Sequence, residues 1–189
     1  MEYRSNAKLK IAICPARIND LSTCQTLAHL SLLKFQLQHL SREQIDASYE
    51  LAGVEKTLIE DGTYFLAYTV HGLVGCGGWS RRATLFGKGI DGGKEARLLD
   101  PKTEAARLRA IHTDFTHGRK GVGTLMLAHC EAEVMKAGFQ DVDALATCTG
   151  ELLLSKAGYR VLDRQFISTS SGAKIPFARM TKHLEPPTT

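Results

Sequence analysis

The residues with the clearest chemical content lie together at Gly118-Arg119-Lys120-Gly121-Val122-Gly123-Thr124. A strand pattern runs through residues 106–113 just before them, and a helical pattern from about Gly121 to Lys136 follows. The segment is therefore a turn between a strand and the first turn of a helix. A helix start leaves several N–H groups without an intrahelical partner, and the macrodipole adds partial positive charge there. A Ser, Thr, Asp or Asn usually stands in front to receive those donors. Here the preceding residues are Gly118, Arg119 and Lys120, and none can accept a hydrogen bond from the helix. The two glycines around Val122 let the backbone approach a bulky anion. The two cations and the Thr124 hydroxyl add to the same spot. Together these features describe a phosphate cradle. The spacing fits neither G-x-x-x-x-G-K-[ST] nor G-x-G-x-x-G, so ATPase and Rossmann readings lose weight. The alternative is a solvated basic connection whose glycines only turn the chain.

Two titratable residues stand near this turn. Alternation along the strand puts Leu108, Ala110 and His112 on one side, with Arg107, Arg109, Ile111 and Thr113 on the other. His112 ends the strand, and imidazole titrates near neutrality, which makes it a candidate general base. Glu104 has the same parity further back and could act through water. The competing readings are a packed histidine and a solvated loop carboxylate. No Ser/His/Asp or Cys/His set is recognisable. The five cysteines are scattered without a C-x-x-C pair, and Cys148 reads as a buried thiol rather than a nucleophile. No His/Cys/Asp/Glu cluster has metal-ligand spacing, so no metal is expected.

The elements that must position these residues follow in order. Residues 9–15 read as a strand ended by Pro15. A helix capped at Asn19-Asp20 runs to about His39, with a stripe at Leu27, Leu30, Leu33 and Leu37. Ser41 and Gln44 form a capping box for a second helix that fades at Asp61-Gly62. Residues 63–70 and 72–79 form an antiparallel hairpin about His71-Gly72. Residues 80–105 are rich in glycine and charge with little periodicity, and read as a mobile excursion. The helix after the cradle buries Val122, Met126, Cys130 and Val134 and ends at Gly138. A strand at 141–148, a short helix at 151–157 and strands at 158–166 and 176–184 complete a mixed α/β sheet in a single domain over 1–189, with a frayed tail at 185–189.

The chain has 189 residues, 24 Lys+Arg against 20 Asp+Glu and a formal net charge of +4; 43% of it is hydrophobic. This excludes a disordered chain. The mild basicity lacks a stripe of cations interleaved with aromatics, so no nucleic-acid partner is expected. The apolar runs are too short to cross a membrane, no signal peptide is visible, and the cytoplasm is the expected location.

The order strand, basic G-x-G turn, long helix, strand, short helix and Ala157-Gly158-Tyr159 resembles the GNAT superfamily of acyl-CoA-dependent N-acyltransferases. The resemblance runs from Ile11 to about Leu184 and is most specific between Ala106 and Val161. Within it, the Ala-Arg-Leu-Arg-Ala-Ile run looks like a bacterial branch of uncharacterised members. It implies a largely antiparallel sheet with two splayed central strands and an N-acetyltransferase that uses acetyl-CoA. The main chain of Ile111, His112 and Thr113 would then bind the pantetheine arm. Arg119, Lys120, Gly121, Val122, Gly123 and Thr124 would hold the pyrophosphate, while residues 147 and 154–156 would line the lower channel. The acceptor would be a primary amine of a small molecule or peptide, placed by the first two helices, the hairpin and the excursion. Tyr64, Trp79 and the pair Arg81/Arg82 are specificity candidates; facing the pocket, the arginines would argue for an acceptor with a carboxylate or phosphate. Homodimers are frequent in the family.

Three positions depart from the family pattern. Gly118 stands at the motif's Gln/Arg position, Thr147 where Asn is common, and Leu154 where a tyrosine serves as general acid. With Leu154, either water protonates the departing thiolate or the catalytic assignment differs. A non-catalytic acetyl-CoA-binding protein that reports to a partner is the alternative function.

Overall fold

A computed structural model describes residues 10–84 and 97–185 of the chain. Its strands are β1 (Ala12–Pro15), β2 (Tyr64–Thr69), β3 (Gly72–Ser80), β4 (Ala106–Thr113), β5 (Asp141–Ala146), β6 (Arg160–Ser168) and β7 (Lys174–His183). Its helices are α1 (Leu21–Gln36), α2 (Arg42–Ala52), α3 (Lys56–Glu60), α4 (Val122–Lys136) and α5 (Cys148–Lys156). The strands form one sheet in the order β1-β2-β3-β4-β5-β7-β6, antiparallel except for β4 beside β5. This is the mixed sheet expected from the element order.

One face of the sheet is covered by α4. Its stripe Val122, Met126, Cys130 and Val134 is buried as the periodicity predicts, against Phe65, Val74, Trp79 and Phe139. Burying each such side chain contributes about 1.5–3 kcal/mol. The approach is tight: a Cβ on Gly77 of β3 would come within 2.8 Å of Ile111 and 2.9 Å of Met126. Trp79 belongs to this core and not to a substrate pocket.

The opposite face is covered by α1, and here the expected leucine stripe is only half right. Leu30 and Leu37 are exposed, while Cys24, Leu27, Ala28, Ser31, Leu32 and Gln36 are buried. The predicted stripe divides: Leu27 is buried and Leu33 packs partly against the α2 cluster, but the covered side also carries small and polar residues that a stripe drawn through leucines alone passes over. The second predicted helix is in fact two. The capping box at Ser41 and Gln44 starts α2, but Gly53 is extended (φ −72°, ψ 165°) and separates it from α3. α2 packs Ile45 against Ile167, Ile175 and Phe177 at the far end of the sheet.

The segment 80–105 is partly ordered. Arg82 bridges Leu98, the Ala83 amide donates to the Arg97 carbonyl, and the Leu99 amide donates to that of Arg81. Leu99 is buried in the core of α4. The remainder of the expected excursion, residues 85–96, lies outside the described residues, as does most of the tail. No described helix is long and apolar enough to cross a membrane.

Candidate functional site

The parallel pairing of β4 with β5 is short. It joins Ala106, Arg107 and Leu108 to Val142, Asp143 and Ala144 and goes no further. Beyond Leu108 the strands diverge, and the opening becomes a cleft of about 540 Å3. Its sides are Leu108–Thr113 of β4, Ala144–Thr147 around the end of β5, the Ser31–Gln36 end of α1 and the inner face of α5. The polar residues that α1 buries thus face the cleft.

At one end of the cleft is the basic turn. A 3-10 turn, Phe115–His117, is capped by Asp114, whose carboxylate accepts from the Thr116 amide at 2.9 Å and contacts His117 Nδ1 at 3.2 Å. The chain then takes two left-handed residues, Arg119 (φ 62°) and Gly121 (φ 87°), before α4 begins. Gly121 is the N-cap, and no side chain among the described residues caps the helix. A Cβ at Gly121 would meet nothing within 4 Å, so the space in front of the helix is open. At Gly123 a Cβ would crowd Leu153 at 3.3 Å and Thr113 Oγ1 at 3.5 Å, where the cradle narrows toward α5. Arg119, Gly121, Val122, Gly123 and Thr124 line the cleft; Lys120 is exposed beside it. Amides turned outward by left-handed residues at an uncapped helix start form an anion-binding concavity. The cradle lies at one end of the cleft and β4 runs along its length.

β4 contains a feature that simple alternation cannot show. Cys76 pairs with His112 and Gly78 with Arg109, so three steps on β4 oppose two on β3. The bulge centres on Ala110, an L-residue at φ 46°. Tyr64 braces it, its hydroxyl donating to the Ala110 carbonyl at 2.9 Å. Burial foremost, with the neighbouring Cys76, pushes the Tyr64 phenol far above its ordinary value, so it remains a donor. Tyr64 therefore supports the bulge and does not touch the cleft. The bulge also corrects the expected faces: His112 turns to the α1 side with Arg109, while Ile111 joins Leu108 on the α4 side. His112 is buried and lines the cleft.

The predicted residues on α5 divide. Thr147 caps α5, accepting from the Gly150 amide at 3.3 Å, and also accepts from Gln36 Nε2 at 2.9 Å. Leu154 and Lys156 line the cleft, whereas Ser155 is exposed and away from it. Cys148 does not line it.

Glu104 is not part of the site. Both its oxygens are held by Arg97 at 2.6 and 2.7 Å and one also accepts the Asp100 amide. The Arg97 hydrogen bonds foremost, then the Asp100 amide, lower its carboxyl to about 2, which leaves a very weak base. Arg81 and Arg82 are likewise elsewhere: Arg82 grips Asp61 with two 2.7 Å bonds and Arg81 donates to the Asp61 carbonyl.

At the end of the cleft away from the cradle stands a pair that sequence reasoning missed. Glu55, between α2 and α3, is hydrogen-bonded to Arg109 of β4, and Arg109 also donates to the Thr84 carbonyl at 3.2 Å. Arg109 is only 9% exposed. The two residues lie 54 apart in sequence, and an isolated glutamate in a polar connection carries no local signal. The break at Gly53 was the one hint that this stretch does more than continue a helix.

No protein-family model matches the chain, and no curated protein matches it. Solved structures do. A GCN5-related N-acetyltransferase from Rhodopseudomonas palustris superposes with a TM-score of 0.69 at 16% identity, covering 93% of this chain and 98% of that one. The PaiA N-acetyltransferase from Thermoplasma acidophilum, in complex with coenzyme A, superposes with a TM-score of 0.61 at 16% identity over 93% and 99%. YncA from Salmonella typhimurium, with its cofactor acetyl-CoA, gives 0.61 at 13% identity over 95% and 97%. The chain has the GNAT fold.

Proposed function

We propose that this protein is an N-acetyltransferase that moves an acetyl group from acetyl-CoA to a primary amine by direct transfer. The observation that carries the reading is the divergence of β4 and β5 into a cleft that ends on an uncapped, basic helix start. The structural neighbours that hold coenzyme A or acetyl-CoA support the same choice of donor.

Arg119 through Thr124 hold the pyrophosphate, mainly with backbone amides. The main chain of Ile111, His112 and Thr113, beyond the end of the β4–β5 pairing at Leu108, hydrogen-bonds the extended pantetheine arm. When bound, acetyl-CoA supplies an activated acetyl thioester. The N–H near Thr113 faces the carbonyl oxygen on which charge develops. His112 takes the proton that the acceptor ammonium must lose, directly or through water. Leu154 offers only hydrocarbon to the cleft, so the proton that the nitrogen sheds after attack passes through water to the departing thiolate. Alignment of two substrates in one slot supplies several kcal/mol of the acceleration without a nucleophile.

Calorimetric titration with acetyl-CoA tests the donor, and thiol release on adding an amine panel tests the transfer. Binding together with amine-dependent thiol release is the expected result. Absence of acetyl-CoA binding would sink the reading. Binding without thiol release would favour a sensor of acetyl-CoA.

A further inference from the structure

We infer that a second cavity, between α1 and α2, takes the acceptor, and that it selects a primary amine on an apolar or aromatic framework that carries no carboxylate. This rests on the acetyl-transfer reading and specifies its second substrate. The cavity is about 420 Å3 and shares Leu32, Leu51, Gly53 and Glu55 with the cleft, so the two spaces adjoin. Glu55 is the titratable residue at this doorway. Behind it one wall is flat and aromatic. His29 and Tyr49 stack with ring centroids 3.8 Å apart and planes 10° from parallel, beside Ala28, Leu32 and Val54.

The charges select against an anion. Glu50 and Glu55 line the cavity, and among the described residues no lysine or arginine does. Arg109 lines the adjoining cleft beside Glu55, and its guanidinium is engaged by Glu55 and by the Thr84 carbonyl. Glu50 accepts from the Ser170 amide at 2.9 Å and from its hydroxyl at 2.7 Å. These bonds, the amide foremost, hold its carboxyl below the usual range, so it is charged at neutral pH. The arginines that could have received a ligand carboxylate, Arg81 and Arg82, hold Asp61 instead. A ligand carboxylate would therefore meet like charge, whereas an ammonium at the doorway meets Glu55 with its framework against the Tyr49 and His29 rings. Such repulsion is an effective means of discrimination.

Phenethylamine and phenylalanine share ring and amine and differ by the carboxylate, so they form the test pair. With acetyl-CoA, kcat/KM for phenethylamine should exceed that for phenylalanine by about ten-fold or more. Tyr49→Ala should raise the KM for phenethylamine about five-fold by removing the aromatic wall, with the acetyl-CoA Kd unchanged. Glu55→Gln should narrow the preference between the two amines. Equal rates, a preference for phenylalanine, or an unchanged KM in Tyr49→Ala would overturn the inference. So would acetyl-CoA binding with neither amine acetylated, while the donor site would stand. Failure to bind acetyl-CoA would instead overturn the transfer reading from which the inference starts.

Discussion

The two ends of the cleft are built by different means. At the cradle, seven consecutive residues, Gly118 to Thr124, present backbone groups, and the side chains that matter most are the ones that are missing. At the other end, Glu55, Arg109, His29 and Tyr49 come from three helical regions and a strand. A backbone site recognises a group that is always the same, whereas a side-chain site can be re-specified one residue at a time. The cradle thus suits a constant donor and the far end a chosen acceptor.

The hardest blow to this contrast is Gly123→Glu. It leaves every cation in place but puts a carboxylate and a crowded Cβ into the cradle. Acetyl-CoA affinity should fall about a hundred-fold or more, because like charge and lost amide contacts add. Calorimetry checks it, and retained binding would mean the cradle is only a turn. Tyr64→Phe probes the other half. It leaves the Ala110 carbonyl without its donor and should cost about 1–3 kcal/mol in denaturant unfolding. It should also lower kcat while the acetyl-CoA Kd holds, since the bulge orients His112. Arg119→Gly asks how much the cations add. The variant keeps a left-handed turn that glycine favours, so stability should not drop, while Kd rises about ten-fold with a weaker salt dependence.

Glu104→Gln should do least. kcat should stay within about two-fold, because the residue stands outside the cleft, and an exposed ion pair stabilises little. The sign of its pH effect is definite. A folded carboxyl lowered to about 2 contributes stability above its ordinary value near 4.5 and loses it as pH falls from there toward about 2. The stability gap between native chain and variant should therefore close over that range, as pH-dependent unfolding midpoints would show.

The same contrast explains what could be read in advance. The cradle was legible because its evidence is contiguous: a strand, two cations, a missing cap and two glycines. The α4 stripe was legible because its four residues obey one period. His112 was found as a residue but placed on the wrong face, since nothing about Ala110 announces a bulge at φ 46°. The leucines of α1 misled because that helix covers a cleft and buries Ser31 and Gln36 where a core helix would bury leucine. Glu55 was missed because its partner is 54 residues away and is reached only after the chain has folded.

The three-residue pairing of β4 with β5 has one further consequence. Past Leu108, β4 is an edge strand inside its own sheet. Exposed edges invite other chains to add a strand, and proteins usually blunt them with charge, proline or a bulge. Here the edge lies at the bottom of a slot walled by α1 and α5. The fold thereby sets the open edge of β4 inside a slot rather than on its outer rim.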